Sequence, residues 1–89
     1  MKFWKQNLYP AHNFMYYVYL LKNHTKGGIY IGYTDDLKRR LKEHQSKHPE
    51  LVYYEAYKSE KDARMREMRL KRHGQTKRRL KERIQYSLT

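Results

Sequence analysis

The sequence predicts an α+β domain: a small three-stranded antiparallel sheet flanked by three helices in the order ββαβαα. Three observations predict it. Two aromatic and β-branched runs, residues 16–21 and 29–33, flank a segment holding Asn23, Gly27 and Gly28, the pattern of a hairpin. Three later stretches carry apolar residues at helical spacing, with a further strand-like run at 51–57 between the first and second. The aromatic content is 15%, ten residues are Tyr, and Gly and Pro are few, so the high charge does not signal disorder.

Taken in order, residues 1–14 hold Trp4, Tyr9 and Pro10 without a clear period and read as an N-terminal extension to a domain over 15–89. A hairpin turning symmetrically about His24 and Thr25 sets Tyr19 across from Tyr30. Alternation then puts Tyr17, Tyr19, Leu21, Tyr30, Gly32 and Thr34 on one face. Val18, Leu20, Ile29 and Ile31 take the other face, an apolar set suited to a core. Thr34 or Asp35 can cap a first helix, with acids in its first turn and Lys38, Arg39, Arg40 and Lys42 further on, as the helix dipole favours. Leu37, Leu41 and His44 share a face of that helix, and residues 46–49 end it, because the residue before Pro49 is biased away from helix. Ser59 and Asp62 form a capping box for a second helix running to about His73, with Gly74 as its stop. Leu80, Ile84 and Leu88 mark a last helix over about 76–88.

Charge indicates a partner. Lys and Arg total 21 against 9 Asp and Glu, a net +12. On so small a surface this excess attracts polyanions, nucleic acid foremost. Residues 58–83 alone hold twelve Lys and Arg against four acids, a local +8. Lys38, Arg39, Arg66, Arg69, Lys71, Arg72, Lys77, Arg78 and Arg79 are the candidate nucleic-acid contacts. The absence of Cys excludes a disulfide framework, a thiolate zinc site and a thiol nucleophile. The longest apolar run falls far short of the roughly 20 residues that cross a bilayer, and nothing resembles a secretory signal. A soluble cytoplasmic protein is therefore expected, and an amphipathic membrane-surface reading suits the charge but not the sheet.

Some residues do not read as packing. Gly32 weakens a strand and marks a bulge or a close approach, here beside two phenols. Arg40 and His44 are one helical turn apart; the first can hold phosphate and the second can exchange a proton near neutral pH. Glu67 interrupts the apolar stripe of Ala63 and Leu70, so its carboxylate should meet a cation, either a neighbouring basic side chain or a metal. His44 and His48 share the spacing of a zinc pair, but Pro49 argues against a helix that would join them.

With these residues in place, the chain resembles the GIY-YIG nuclease superfamily, in particular its small stand-alone members. Tyr17-Val18-Tyr19 matches the first half-motif, Tyr30-Ile31-Gly32 the second, and Arg40, His44 and Glu67 follow in order. The resemblance implies phosphodiester hydrolysis in DNA with a single divalent metal, Mg²⁺ or Mn²⁺. It makes Tyr19 the general base beside Tyr30, Arg40 the phosphate holder, His44 a proton-transfer or phosphate contact, and Glu67 the metal ligand. Lys22 matches a lysine of excision-repair members, where it lowers the tyrosine's pKa, which suggests a role in DNA repair. Tyr17 and Gly32 are structural members of the motif. Three features depart from the family: Tyr17 replaces a glycine, the segment 45–50 is shorter than in many relatives, and a second polar position near the metal aligns with Glu82. Isolated members often need a separate targeting domain or protein partner. The short loop leaves a catalytically weak or inactive nucleic-acid-binding module as the alternative.

Overall fold

The computed structural model describes residues 15–23, 27–45 and 49–89; the extension read over 1–14 lies outside them. The elements run β1 (Tyr16–Asn23), β2 (Ile29–Thr34), α1 (Leu37–Glu43), β3 (Pro49–Tyr57), α2 (Glu60–Arg72) and α3 (Gly74–Arg83). This is the ββαβαα order expected, with β1 central in an antiparallel sheet of order β2-β1-β3. Pro49 opens edge strand β3, where a missing ladder donor is tolerated.

The hairpin register differs from the symmetric expectation by one pair. Tyr19 lies opposite Gly32, and Tyr30 lies opposite Leu21. Asn23 stays in β1 and donates its N–H to the Gly28 carbonyl at 2.9 Å, while Gly27 donates back to the Asn23 carbonyl at 2.6 Å. Gly27 achieves this at φ +72, in the left-handed region open to glycine. The connection is thus centred one residue later than assumed, and every partner moves by two. A shift of two keeps each side chain on its own face, so the division of faces stands.

The apolar face forms the core. Val18, Leu20 and Ile31 pack with Ala63 and Leu70 of α2 and Leu80 of α3, while Ile29, Tyr33, Tyr53 and Tyr57 close around them. Burying Leu20, Leu70 and Leu80 stabilises the fold by roughly 1.5–3 kcal/mol each. Between Leu20 and Leu21 the β1–β3 ladder shifts: Tyr53 pairs with Leu20 but Leu51 with Leu21. Val52 is the extra residue, and it packs against the core.

Helix ends correct three expectations. Asp36, not Thr34 or Asp35, caps α1, accepting from the Arg39 N–H at 3.0 Å, and the first turn holds no acid. Thr34 is buried one step earlier, where its hydroxyl accepts the Asp36 N–H and donates to the Asp36 carbonyl. Ser59 caps α2 as expected, through the Asp62 N–H at 3.3 Å. Gly74 begins α3 rather than ending α2: the break falls at His73, whose extended φ −107, ψ 102 turns the chain between the two helices. α3 stops at Arg83, short of the expected 88, and continues as tight turns in which Ser87 donates to Ile84 and Leu88 to Gln85. No described helix is long and apolar enough to cross a membrane.

Candidate active site

Sheet alternation assembles the candidate site on the face opposite the core. Tyr19 is 0% exposed, although it lies on the face opposite the core cluster. Its ring lies across Gly32: a Cβ built there would stand 2.4 Å from the Tyr19 Cζ and Oη. Gly32 is present because the tyrosine ring occupies the space of its side chain, the close approach that a strand glycine signals.

α1 supplies the polar partners. Arg40 Nε donates to the Tyr19 hydroxyl at 3.1 Å, and Arg40 Nη1 bonds Glu43 at 3.0 Å, one helical turn away. His44 caps the helix C-terminus and sets its imidazole against both tyrosines, with ring centroids 6.4 Å from Tyr19 and 5.4 Å from Tyr30. Tyr19 and Tyr30 are themselves 6.2 Å apart, diagonal neighbours across β1 and β2. Three rings and one guanidinium therefore converge. Tyr30, 42% exposed, is the side of the cluster that meets solvent.

Electrostatics follow from these contacts. Burial pushes the Tyr19 phenol above its ordinary value of 10.0, and the Arg40 hydrogen bond pulls the other way without cancelling it. The bonds that Arg40 donates to Tyr19 and then to Glu43 hold it in its charged form, with Tyr30 acting in the same direction.

Glu67 enters from α2. Its carboxylate, 20% exposed, meets Lys71 Nζ at 3.0 Å, so its cationic partner in the fold is a lysine at i+4. That same Nζ stands 6.0 Å from the Tyr30 ring centroid, which connects Glu67 to the tyrosine cluster. Lys22 goes elsewhere: its Nζ donates to the Leu88 carbonyl at 2.8 Å. The cation on Tyr19 is Arg40. Tyr17 lies on the Tyr19 face, edge-on to Tyr54 at 5.9 Å. Glu82 is exposed on α3, and His48 lies outside the described residues.

The residues read as nucleic-acid contacts divide. Lys38, Arg69, Arg72, Arg78 and Arg79 are exposed, Lys77 is half-buried, and Arg39 pairs with Asp35 and Glu43. Arg66 is held in a second cluster on the helix-covered face. Its Nε and Nη2 clasp Glu55, at 2.9 Å for the closest contact of each, and Glu55 also accepts from Tyr53 at 2.6 Å and from Tyr57. Burial works to raise the Glu55 carboxyl, but Arg66 and the two phenols outweigh it and hold it below its ordinary value. Burial and then Glu55 push Tyr53 and Tyr57 up to about 12.

Two of these carboxylates escaped the sequence reading. Glu43 was visible at i+3 from Arg40, and Glu55 sits midway between Tyr53 and Tyr57 at a period of two. Residue spacing had placed both beside their partners.

The molecule is thus an α+β domain whose sheet carries a phenol–guanidinium–imidazole cluster with a carboxylate beside it. Comparison gives that class a family: the model of the GIY-YIG catalytic domain matches residues 15–83. The chain belongs to the GIY-YIG family, whose domain has a nuclease-type endonuclease fold. No curated protein and no solved structure matches it.

Proposed function

We propose that the protein is a divalent-metal-dependent endonuclease that hydrolyses phosphodiester bonds in DNA, with Tyr19 as general base. The observation that carries this reading is the 3.1 Å bond from Arg40 Nε to the Tyr19 hydroxyl, with Tyr30 and His44 packed on the same ring. A guanidinium held there can take a phosphate oxygen and bring the scissile phosphorus to the phenol.

The donor set fits a hard cation. Among the described residues no three His, Cys, Asp or Glu side chains group together. Glu67 is the residue that would hold such a cation, since Mg²⁺ is commonly held by only one or two protein carboxylates. When bound, such an ion supplies positive charge to the phosphate oxygens and to the nearby phenol. Glu67 would hold it, exchanging Lys71 for the ion.

The chain's own groups then divide the work. Tyr19 Oη, as phenolate, accepts the proton of the attacking water as the new P–O bond forms. Because burial raises this phenol, Arg40 alone does not make it a base at neutral pH, and further positive charge is part of the design. Arg40 stabilises the charge that develops on the phosphate. As the bond from phosphorus to the leaving oxygen breaks, His44 is the group that can return a proton to it. Tyr30, open to solvent, orients the incoming water and backbone.

The buried, raised Tyr19 phenol favours one second reading, a basic binding module that cleaves slowly or not at all. Incubating the protein with single-stranded, nicked, branched and duplex DNA, with Mg²⁺ or Mn²⁺, separates the two. Cleavage that disappears in Glu67→Gln and Tyr19→Phe supports the endonuclease. Binding without cleavage under every condition supports the module, and cleavage that persists in both variants sinks the assignment.

A further inference from the structure

A cavity of about 240 Å³ opens between α2 and α3, lined by Arg66, Thr76, Arg79, Leu80 and Arg83. It belongs to the helix layer, on the opposite side of the sheet from Tyr19. Thr76, Leu80 and Arg83 recur at i, i+4 and i+7, so α3 turns one continuous stripe toward the cavity, with Arg79 beside it.

The charge around this cavity is unbalanced. Three guanidiniums line it, and the carboxylate bonded to any of them is Glu55, on Arg66. That clasp fixes Arg66 in one orientation through Nε and Nη2, which leaves Nη1 as a donor not taken by Glu55. The two Tyr hydroxyls on Glu55 brace it in turn. Arg79 and Arg83 are exposed at the rim. A clasped guanidinium, two exposed ones and a hydroxyl lining one cavity make a receptor for a tetrahedral oxyanion.

We infer that this cavity is a second phosphate-binding site, which holds a backbone phosphate of the nucleic acid away from the reaction centre. The ligand chemistry is a phosphodiester: its single negative charge suits a cavity already partly neutralised by Glu55. With one phosphate at Arg40 and another between α2 and α3, the protein grips nucleic acid on both faces of its sheet. The cavity provides a second point of attachment within the same fold. The inference rests on nucleic acid being the partner but not on cleavage.

The test compares two variants of equal charge. Arg79→Gln with Arg83→Gln removes two cations from the cavity, and Arg72→Gln with Arg78→Gln removes two exposed cations that do not line it. Binding of a labelled duplex oligonucleotide is followed by fluorescence anisotropy in EDTA, across a salt series. The cavity pair is expected to lose about tenfold more affinity than the other pair, and its log–log salt slope to become shallower by about 0.9 for the one phosphate released. Equal losses in the two pairs would overturn the site, leaving an undivided basic surface. If the cavity double variant loses its helical circular dichroism, Arg83→Gln alone is compared with Arg78→Gln by the same criterion. Titration of the wild type with inorganic phosphate separates a free-anion site: phosphate binding more tightly than the oligonucleotide would overturn the backbone assignment. Because EDTA suppresses metal-dependent cleavage, failure of the endonuclease reading leaves this result unaffected.

Discussion

The two faces of the sheet carry clusters made of the same three residue types, wired in opposite ways. On the helix-covered face a carboxylate is the hub: Glu55 accepts from Arg66, Tyr53 and Tyr57 together. On the open face an arginine is the hub: Arg40 reaches Tyr19 with Nε and Glu43 with Nη1, and its side chain remains 38% exposed. The first arrangement closes on itself, with phenols and guanidinium all directed at one anion. The second leaves a cation facing solvent and two aromatic rings beside it. The difference teaches which cluster is closed on its own anion and which leaves a cation toward solvent.

The largest effect expected from breaking this comparison is on stability. Glu55→Ala strips three donors of their shared acceptor in a half-buried setting, and should cost about 3 kcal/mol. Glu43→Ala removes the carboxylate of the open cluster, whose ion pair is exposed, and should cost less than about 1 kcal/mol. Urea denaturation of the two variants side by side checks this; equal midpoints would mean that the clusters do not differ in kind.

Gly32→Ala comes next. The new methyl group would stand 2.4 Å from Tyr19 Cζ and Oη, so the ring must leave its place over the strand. A loss of about 1–3 kcal/mol is expected for the overpacking, together with loss of the Tyr19–Arg40 bond. Cleavage assayed at a temperature where the variant is folded should be abolished along with it.

Much of this was legible from residue order alone. The hydroxylated and apolar faces were readable because β alternation has a period of two, and the one-pair error in register left both intact. That error arose where local chemistry has freedom: the hairpin closes through Gly27 at positive φ, and two successive glycines permit more than one centre. Helix existence was readable from spacing, but Gly74 was misread because a glycine near His73 can end one helix or begin the next. Arg40, His44 and the two tyrosines were foreseen as a group and do converge. Lys22 was not separable from them in the sequence, since its direction depends on where residues 84–88 fold back to offer the Leu88 carbonyl.

The closed cluster also predicts a pH dependence. The Glu55 carboxyl is held below its ordinary 4.5, so its stabilising contribution is present above that value and is lost as pH falls through the lower, folded one. Tyr53 and Tyr57 are raised from 10.0 to about 12, so their contribution is full below pH 10.0 and disappears as pH rises toward 12. The difference in thermal midpoint between wild type and Glu55→Ala should therefore be broad and flat through neutral pH and shrink at both ends. A difference that peaks near pH 7 would place a histidine, not this cluster, in control.

The smallest effect sharpens the picture of α1. This helix buries no residue and carries both Arg40 and His44. Asp36→Ala should cost about 1 kcal/mol or less, through loss of the bond to the Arg39 N–H. Its mark should be greater on cleavage than on global unfolding, read as faster amide exchange in residues 37–43 and a slower reaction in the folded protein.

The most direct measurement is the single-turnover rate of metal-dependent DNA cleavage by Arg40→Gln, with its thermal midpoint recorded on the same sample. If the open cluster is the reaction centre, the rate falls by about 10²–10³-fold, the loss typical of one charge-stabilising donor, while the midpoint stays close to that of the wild type. Cleavage at the wild-type rate by the folded variant would contradict it.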